Sequence, residues 1–449
     1  MKTDGPSGVI VGAPASGQGK TVFTLGLLRH LANAGIATAS AKVGPDYIDP
    51  AFHAAATGRA CINLDLWAMR PETVDMARAH LAEGAQRIVC EGVMGLFDGA
   101  VTGEGSTAHL AEVSGWPVIL VVDAAAQAAS AAAVVRGFAT HRASVTVAGV
   151  VFNRVGSAAH AAILRQACAE AVPEVAVLGC LPRHADLALP ERHLGLVQAT
   201  EHADLERLLD GAAAMIADHV DVDMLLSLAR PWPGVLEGSG DSTAEAAVPV
   251  PPLGTRIAVA SDAAFAFRYP LVVDGWRRRG ADIAFFSPLA DEAPDAAADA
   301  VYLPGGYPEL HAAKLAANAR FLDGVTAAAG RGALVFGECG GYMVLGDGLI
   351  DGDGARHAMA GLLPLVTSFA EPRLHLGYRR AVLAADGALG AAGAAFRGHE
   401  FHYAEVVEQE PGAPLFTCSD ARGGDLGPAG LARGRVMGSF VHLIDGEGG

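Results

Sequence analysis

The 449-residue sequence predicts an α/β protein made of two parallel-sheet units. Three observations predict it. Apolar runs alternate with helical stretches from residue 9 to 230, and the same alternation restarts at Arg256. Between them lies a stretch rich in proline, glycine and serine that has no period. Such alternation reads as a parallel sheet covered by helices, and such a stretch as a linker. The expected boundaries are residues 1–230, a linker over 231–254, and residues 255–449.

In the first unit the strands are expected at Val9–Val11, Ala37–Val43, Arg87–Cys90, Val118–Val122, Val145–Phe152 and Val175–Leu178. The first is followed by Gly12-Ala-Pro-Ala-Ser-Gly17-Gln-Gly19-Lys20-Thr21 and then by a helical pattern. Strand, glycine-rich loop, Gly-Lys-Thr and helix together form a phosphate loop in its proper context. Gly17 and Gly19 bring backbone N–H groups to the phosphates of ATP, Lys20 bridges the terminal ones, and the Thr21 hydroxyl is a Mg²⁺ ligand. Pro14 stands where the common spacing has its first glycine.

Two later loops supply acids. Lys42-Val-Gly-Pro-Asp46-Tyr47-Ile48-Asp49-Pro50 carries two carboxylates three residues apart, on a stretch that its prolines are expected to keep out of a regular helix. Glu91 opens the loop after the Arg87–Cys90 strand. Post-strand loops of an open α/β sheet converge at its carboxyl edge, so Asp49 and Glu91 are candidate Mg²⁺ ligands there. Asp123 reads equally as a metal-side acid or a helix cap. The Asn153 amide can read a nucleobase edge. Arg183, His184, Arg192 and His193 can pair with an acidic substrate.

The second unit is expected to place strands at Arg256–Ala260, Ile283–Phe286, Ala300–Leu303 and Ala333–Phe336. The last runs into Gly337-Glu-Cys339-Gly-Gly, the sulfur form of a nucleophile elbow. Downstream, Ser439-Phe-Val-His442 ends another short apolar run. Cys339 and His442 are therefore expected to form a thiolate–imidazolium pair for acyl transfer.

Bulk properties exclude some classes. Hydrophobic residues make up 51% of the chain, yet no charge-free apolar twenty-residue stretch occurs, so no membrane span is expected. A formal charge of −17 argues against nucleic acid as the main partner. Six cysteines without metal or disulfide spacing, and an N-terminus lacking a signal-peptide core, point to the cytoplasm.

Taken together, these motifs resemble the cobyrinic acid a,c-diamide synthase family, which includes the hydrogenobyrinic acid enzymes of cobalamin biosynthesis. The resemblance covers nearly the whole chain. It rests on Ser16–Thr21, Lys42–Pro50, Glu91–Gly99, Leu303-Pro-Gly-Gly-Tyr-Pro-Glu309, Gly337–Tyr342, Gly398-His-Glu-Phe-His-Tyr403 and Ser439–His442. It implies a dethiobiotin-synthetase-like domain followed by a class I glutamine amidotransferase-like domain. ATP would phosphorylate a carboxylate of a corrinoid polycarboxylate, and ammonia from glutamine would attack the acyl phosphate. Asp46, Tyr47 and Ile48 match the family's substrate-recognition segment, and Asp49 and Glu91 its metal and activation acids. Gly305 or Gly306, with the amide of Gly340, would supply the oxyanion hole. Ordinary class I amidotransferases carry a glutamate two residues after the histidine; here Ile444 stands there, with Asp445 one further on. The resemblance admits a homodimer. Neighbouring readings are another tetrapyrrole amide ligase, such as a cobyric acid or nickel-sirohydrochlorin enzyme, and a P-loop switch ATPase with an inert amidotransferase-like domain. Against the switch, Ala15 replaces the signature lysine of partition-type ATPases.

Overall fold

The computed structural model describes residues 5–448, apart from 101–102, 185–186, 188–190, 193–194, 197, 203 and 235–246. His193 and the middle of the expected linker thus lie outside the described residues. The chain divides into two compact units, one comprising residues 1–67 and 74–244 and the other residues 68–73 and 245–449.

The first unit is built on β1 (Ser7–Gly12), β2 (Thr38–Val43), β3 (Ile62–Leu64), β4 (Arg87–Glu91), β5 (Val118–Asp123), β6 (Val147–Val155) and β7 (Ala176–Pro182). They lie in the order β3-β2-β4-β1-β5-β6-β7, all parallel. The strands are nearly continuous apolar runs because helices cover both faces; Val118 to Val122 are essentially inaccessible. The crossover helices include α1 (Lys20–Asn33), α2 (Asp49–Thr57), α3 (Pro71–Ala82), α4 (Thr107–Ser114), α5 (Ser130–His141) and α6 (Ala158–Ala171). A short hairpin, β8 (Glu191–Arg192) with β9 (Gly195–Leu196), precedes α7 (Leu205–His219) and α8 (Val222–Leu228). The sheet then gains an antiparallel eighth strand, β10 (Arg230–Pro231), whose Pro231 pairs with Ser7. The stretch expected to be linker therefore begins inside a strand.

One local expectation is corrected. Pro50 does not keep its segment out of a helix; it sits in the first turn of α2, where a missing N–H costs nothing. Asp46 Oδ1 accepts from the N–H groups of Ile48 at 2.9 Å and Asp49 at 3.0 Å, tying the turn that enters the helix.

The second unit has a mostly parallel sheet formed by β11 (Arg256–Ala260), β12 (Asp282–Phe286), β13 (Ala300–Leu303) and β14 (Leu334–Glu338). Helices α9 (Pro270–Arg278), α10 (Ala312–Ala317), α11 (Ala319–Gly330) and α12 (Gly340–Leu345) accompany it. Beyond α12 most of the pairing is antiparallel, with β15 and β17 parallel to each other. A four-stranded sheet contains β15 (Gly348–Ile350), β16 (Arg356–Ala358), β17 (Leu365–Ser368) and β20 (Glu405–Gln409). A five-stranded sheet has β18 (His375–Leu383), β19 (Ala395–His402), β21 (Phe416–Asp420), β22 (Asp425–Ala429) and β25 (His442–Gly446). Finally β23 (Leu431–Arg433) and β24 (Val436–Ser439) return to the first sheet, giving the order β12-β11-β13-β14-β24-β23. These two additional sheets were not foreseen. Their strands are short or half-exposed, with arginine, histidine and glycine interrupting the alternation that would announce them. Among the described residues, no helix is long and apolar enough to cross a membrane.

Candidate functional sites

In the first unit, strand register assembles a row at the carboxyl edge: Val11 and Lys42 both pair with Glu91, and Lys42 also pairs with Asn63. The loop between β1 and α1 holds Gly17 and Gly19 in left-handed conformations, with φ of 76° and 96°. A β-carbon on Gly19 would overlap the Asn153 amide, whose Nδ2 donates to the Gln18 carbonyl at 2.9 Å. Asn153 thus braces the loop from behind, a use that precedes any contact with a base. Lys20 Nζ donates to the Met94 carbonyl at 2.6 Å and lies 3.4 Å from that of Ala15. Burial lowers its pKa, with Glu91 pulling the other way.

Thr21 Oγ1 donates to Glu91 Oε1 at 2.7 Å. Mg²⁺ is bound by oxygen ligands at about 2.1 Å. The donors are hard oxygens, the type this ion selects. Asp49 joins the cluster differently: its Oδ2 lies 2.5 Å from Lys42 Nζ, which also reaches Glu91 Oε1 at 3.0 Å and Asp46 Oδ2 at 3.6 Å. On the far side, Glu91 Oε2 meets His53 Nε2 at 2.7 Å, and His53 Nδ1 lies 3.4 Å from Cys61 Sγ.

The electrostatics are those of a buried, nearly compensated cluster. Burial opposes charge on Lys42, but Asp49, Glu91 and Asp46 outweigh it and hold the ammonium well above its ordinary pKa. Burial likewise opposes the Glu91 carboxylate, yet Lys42, His53 and Thr21 keep it ionised far below the usual range. His53 is raised to about 10 against burial, by Cys61 and Glu91. Asp49 takes up the surplus negative charge: burial and the neighbouring Asp46 push it to about 7, against the pull of Lys42. Sequence reasoning missed Lys42 and His53 as members of this site. A lysine next to last in a strand with no other charged residue was the available signal for the first; His53, inside α2, offered none. Tyr47 and Ile48 are only 9% and 7% exposed, so the expected recognition segment is mostly packed. Asp123 accepts from Arg154 Nη1 at 2.5 Å, and its own N–H donates to Gln18 Oε1 at 2.9 Å, which makes it a loop support.

In the second unit, Cys339 stands between β14 and α12 with φ 47° and ψ −107°, a backbone state that a side-chain-bearing residue adopts only under constraint. The constraint is visible: the Cys339 N–H donates to the Ser439 carbonyl at 2.8 Å, and that of Gly341 to Pro304 at 3.1 Å. His442, first residue of β25, is brought to the same point. A β-carbon built on Gly305 would stand 3.0 Å from His442 Nε2 and 3.2 Å from Cys339 Cβ, so the three expected residues converge. The Gly340 N–H faces the Cys339 sulfur. The Gly306 nitrogen would lie 3.1 Å from a β-carbon on Gly340, the residue after the nucleophile.

The charge state differs from the one expected. Burial first, then Glu309, pushes the Cys339 thiol well above its ordinary pKa despite the Gly340 N–H. His442 is lowered to about 3 by burial and by His399 and His402, against Glu400. Both shifts favour the uncharged forms of thiol and imidazole. Asp445 does not serve His442 either. Its carboxylate receives the Arg70 backbone N–H at 2.7 Å and guanidinium nitrogens at 2.8 and 3.1 Å, all within the second unit.

Comparison with known proteins follows the same division. Residues 9–197 match the CobQ/CobB/MinD/ParA nucleotide binding domain, and residues 256–448 match the CobB/CobQ-like glutamine amidotransferase domain. A hydrogenobyrinate a,c-diamide synthase from a Sinorhizobium species is 54% identical over 446 residues, covering 98% of this chain and 99% of that protein. The protein of the same name from Rhodobacter capsulatus is 52% identical over 449 residues, covering 99% and 100%. Among solved structures, PurLQS from Thermotoga maritima is 18% identical, covering 43% of this chain and 87% of its own, with a TM-score of 0.30.

Proposed function

Because the chain belongs to the hydrogenobyrinate a,c-diamide synthase family, we propose that it amidates the a and c carboxylates of hydrogenobyrinic or cobyrinic acid, using ATP and glutamine. What carries this reading is the presence of two complementary chemistries on one chain. A phosphate loop sits over a lysine–carboxylate cluster in the first unit, and Cys339 sits beside His442 in the second.

A free carboxylate is a poor electrophile, and phosphorylation cures that. The substrate carboxylate oxygen attacks the γ-phosphorus of ATP, the bond to the β-phosphate oxygen breaks, and ADP leaves. Ammonia then attacks the acyl carbon, expelling phosphate and losing a proton. Lys20, Gly17 and Gly19 would hold the phosphates, the lysine exchanging the Met94 carbonyl for a phosphoryl oxygen. Thr21 and Glu91 would hold Mg²⁺, with Asp49 reached through water, and the ion would neutralise developing phosphate charge. Lys42 keeps the carboxylates of the cluster from repelling one another and the incoming anionic substrate. Asp46, Tyr47 and Ile48 border this edge and would contact the corrinoid periphery.

In the second unit, Cys339 Sγ attacks the carboxamide carbon of glutamine. The thiol starts protonated, so its proton passes to His442 as the C–S bond forms, and His442 returns it to the departing ammonia. The N–H groups of Gly340 and of Gly305 or Gly306 would receive the oxyanion. Water, deprotonated by His442, then releases glutamate from the thioester.

The test is Cys339→Ser, assayed by mass analysis of products from metal-free and cobalt-containing substrates. Glutamine-supported diamide should vanish while high ammonium still yields it. Failure of both nitrogen donors in the unaltered protein, with ATP still consumed, would refute the ligase reading and favour the switch ATPase.

A further inference from the structure

The second unit leaves a mechanical question: what holds the histidine in register with the nucleophile? Cys339 follows β14, which lies in the six-stranded sheet, whereas His442 begins β25 at the edge of the five-stranded one. The ladder fixes β14 to β24, with Glu338 opposite Ser439, but only Phe440 and Val441 connect β24 to β25. On its other side, the β19–β25 register shifts just past the histidine, with Gly398 opposite Leu443 but Arg397 opposite Asp445. The residues after His442 offer no acid either. Ile444 is apolar, and Asp445 is committed to Arg70.

A side chain crosses this gap from the nucleophile's own strand. Glu338, 4% exposed, accepts the Leu443 backbone N–H at Oε1, 3.0 Å away, and the Tyr302 hydroxyl at Oε2, 2.6 Å away. Leu443 directly follows His442, and Glu338 directly precedes Cys339. One carboxyl group therefore ties together the two residues whose relative position decides proton transfer, and Tyr302, on β13, fixes that carboxyl in turn. We propose that Glu338 is the positioning residue of the glutamine-hydrolysing site, acting on the backbone of His442 from the nucleophile's strand in place of an acid on the histidine's own strand. Its hydrogen bonds go to Leu443 and Tyr302, so its effect reaches the imidazole through the backbone. Its work is to keep the imidazole within reach of Sγ while the neighbouring ladder is irregular, and a misplacement of about 1 Å costs roughly 100-fold in such a step.

This inference rests on the reading of Cys339 and His442 as a glutaminase pair, and the experiment separates the two. Glutamate release from glutamine is measured for the full-length protein and for Glu338→Gln, Glu338→Met, Glu338→Ala and Cys339→Ser. The glutamine side chain retains an acceptor oxygen for Leu443, so that variant should keep kcat within about fivefold. Methionine and alanine cannot accept, and they should lose about 100-fold in kcat with KM for glutamine changed less than about threefold. Equal kcat in the Gln and Met variants would overturn the proposal, as would a Met variant within threefold of the unaltered protein. If the alanine variant also loses ammonium-supported amidation, it is misfolded, and the Gln-to-Met comparison alone decides. Glutaminase activity surviving in Cys339→Ser would instead sink the underlying site assignment.

Discussion

Gly305 is the position where a single methyl group should separate the two chemistries of this chain. Alanine there introduces a β-carbon that would overlap His442 Cε1 and stand only 3.0 Å from Nε2 and 3.2 Å from Cys339 Cβ. Carbon atoms settle at about 3.5–4.0 Å, so the imidazole must retreat by about 1 Å or the Gly305 backbone must give way. The backbone is poorly placed to yield, because the Gly305 carbonyl accepts the Phe267 N–H at 2.9 Å and Gly306 is packed against Ala264. The imidazole therefore moves, and the site has no slack to accommodate it, since His442 is 1% exposed. Proton transfer over a distance lengthened by about 1 Å predicts a loss of about 100-fold in kcat/KM for glutamine hydrolysis. The assay is paired turnover: glutamate release, and diamide formation supported by ammonium. Gly305→Ala should lose the first and keep the second within about twofold. Glutamine turnover within fivefold of the unaltered protein would refute the placement of Gly305 between nucleophile and base.

Other outcomes follow from the same geometry. Gly19→Ala combines a left-handed φ of 96° with overlap on the Asn153 amide, so ATP should bind at least tenfold more weakly in titration calorimetry, with glutamine hydrolysis untouched. Lys42→Met leaves Glu91 and Asp49 facing each other without their cation; breaking a buried pair costs about 3–5 kcal/mol, which calorimetry should register as a lower transition for the first unit together with loss of amidation from either nitrogen source. Glu338 has its pKa raised from 4.5 to about 7 by burial, against hydrogen bonds from Tyr302 and Leu443. A raised folded-state pKa means that the folded protein binds more protons than the unfolded chain between those values, so stability is greatest below 4.5 and falls by about 3 kcal/mol as pH rises through 7. Denaturant titrations of the second unit from pH 5 to 8 should show this slope flattened in Glu338→Gln; an identical slope in both proteins would contradict it.

The parallel framework was legible because its strands are buried on both faces and read as continuous apolar runs, as Val118–Val122 shows. The phosphate loop and the elbow were legible because glycine at fixed offsets beside Lys20 and Cys339 has few other uses. What escaped notice depends on tertiary context. His53 reaches Glu91 only because α2 folds back over the row formed by β2 and β4, and nothing in its neighbourhood marks it as polar machinery. The two additional sheets escaped because a half-exposed strand such as β18 carries Arg379 and Arg380 at its centre, although it lies in the middle of its sheet. Burial of Cys339 and His442, which weighs against the thiolate–imidazolium expectation, is a quantity the local sequence does not state.

The burial of Cys339 has a consequence for reagents other than the substrate. Peroxide and stray alkylating agents attack thiolates, and their rates follow the fraction of sulfur that is ionised. Cys339 is 2% exposed and burial raises the pKa of its thiol, and both effects disfavour attack by such reagents between turnovers.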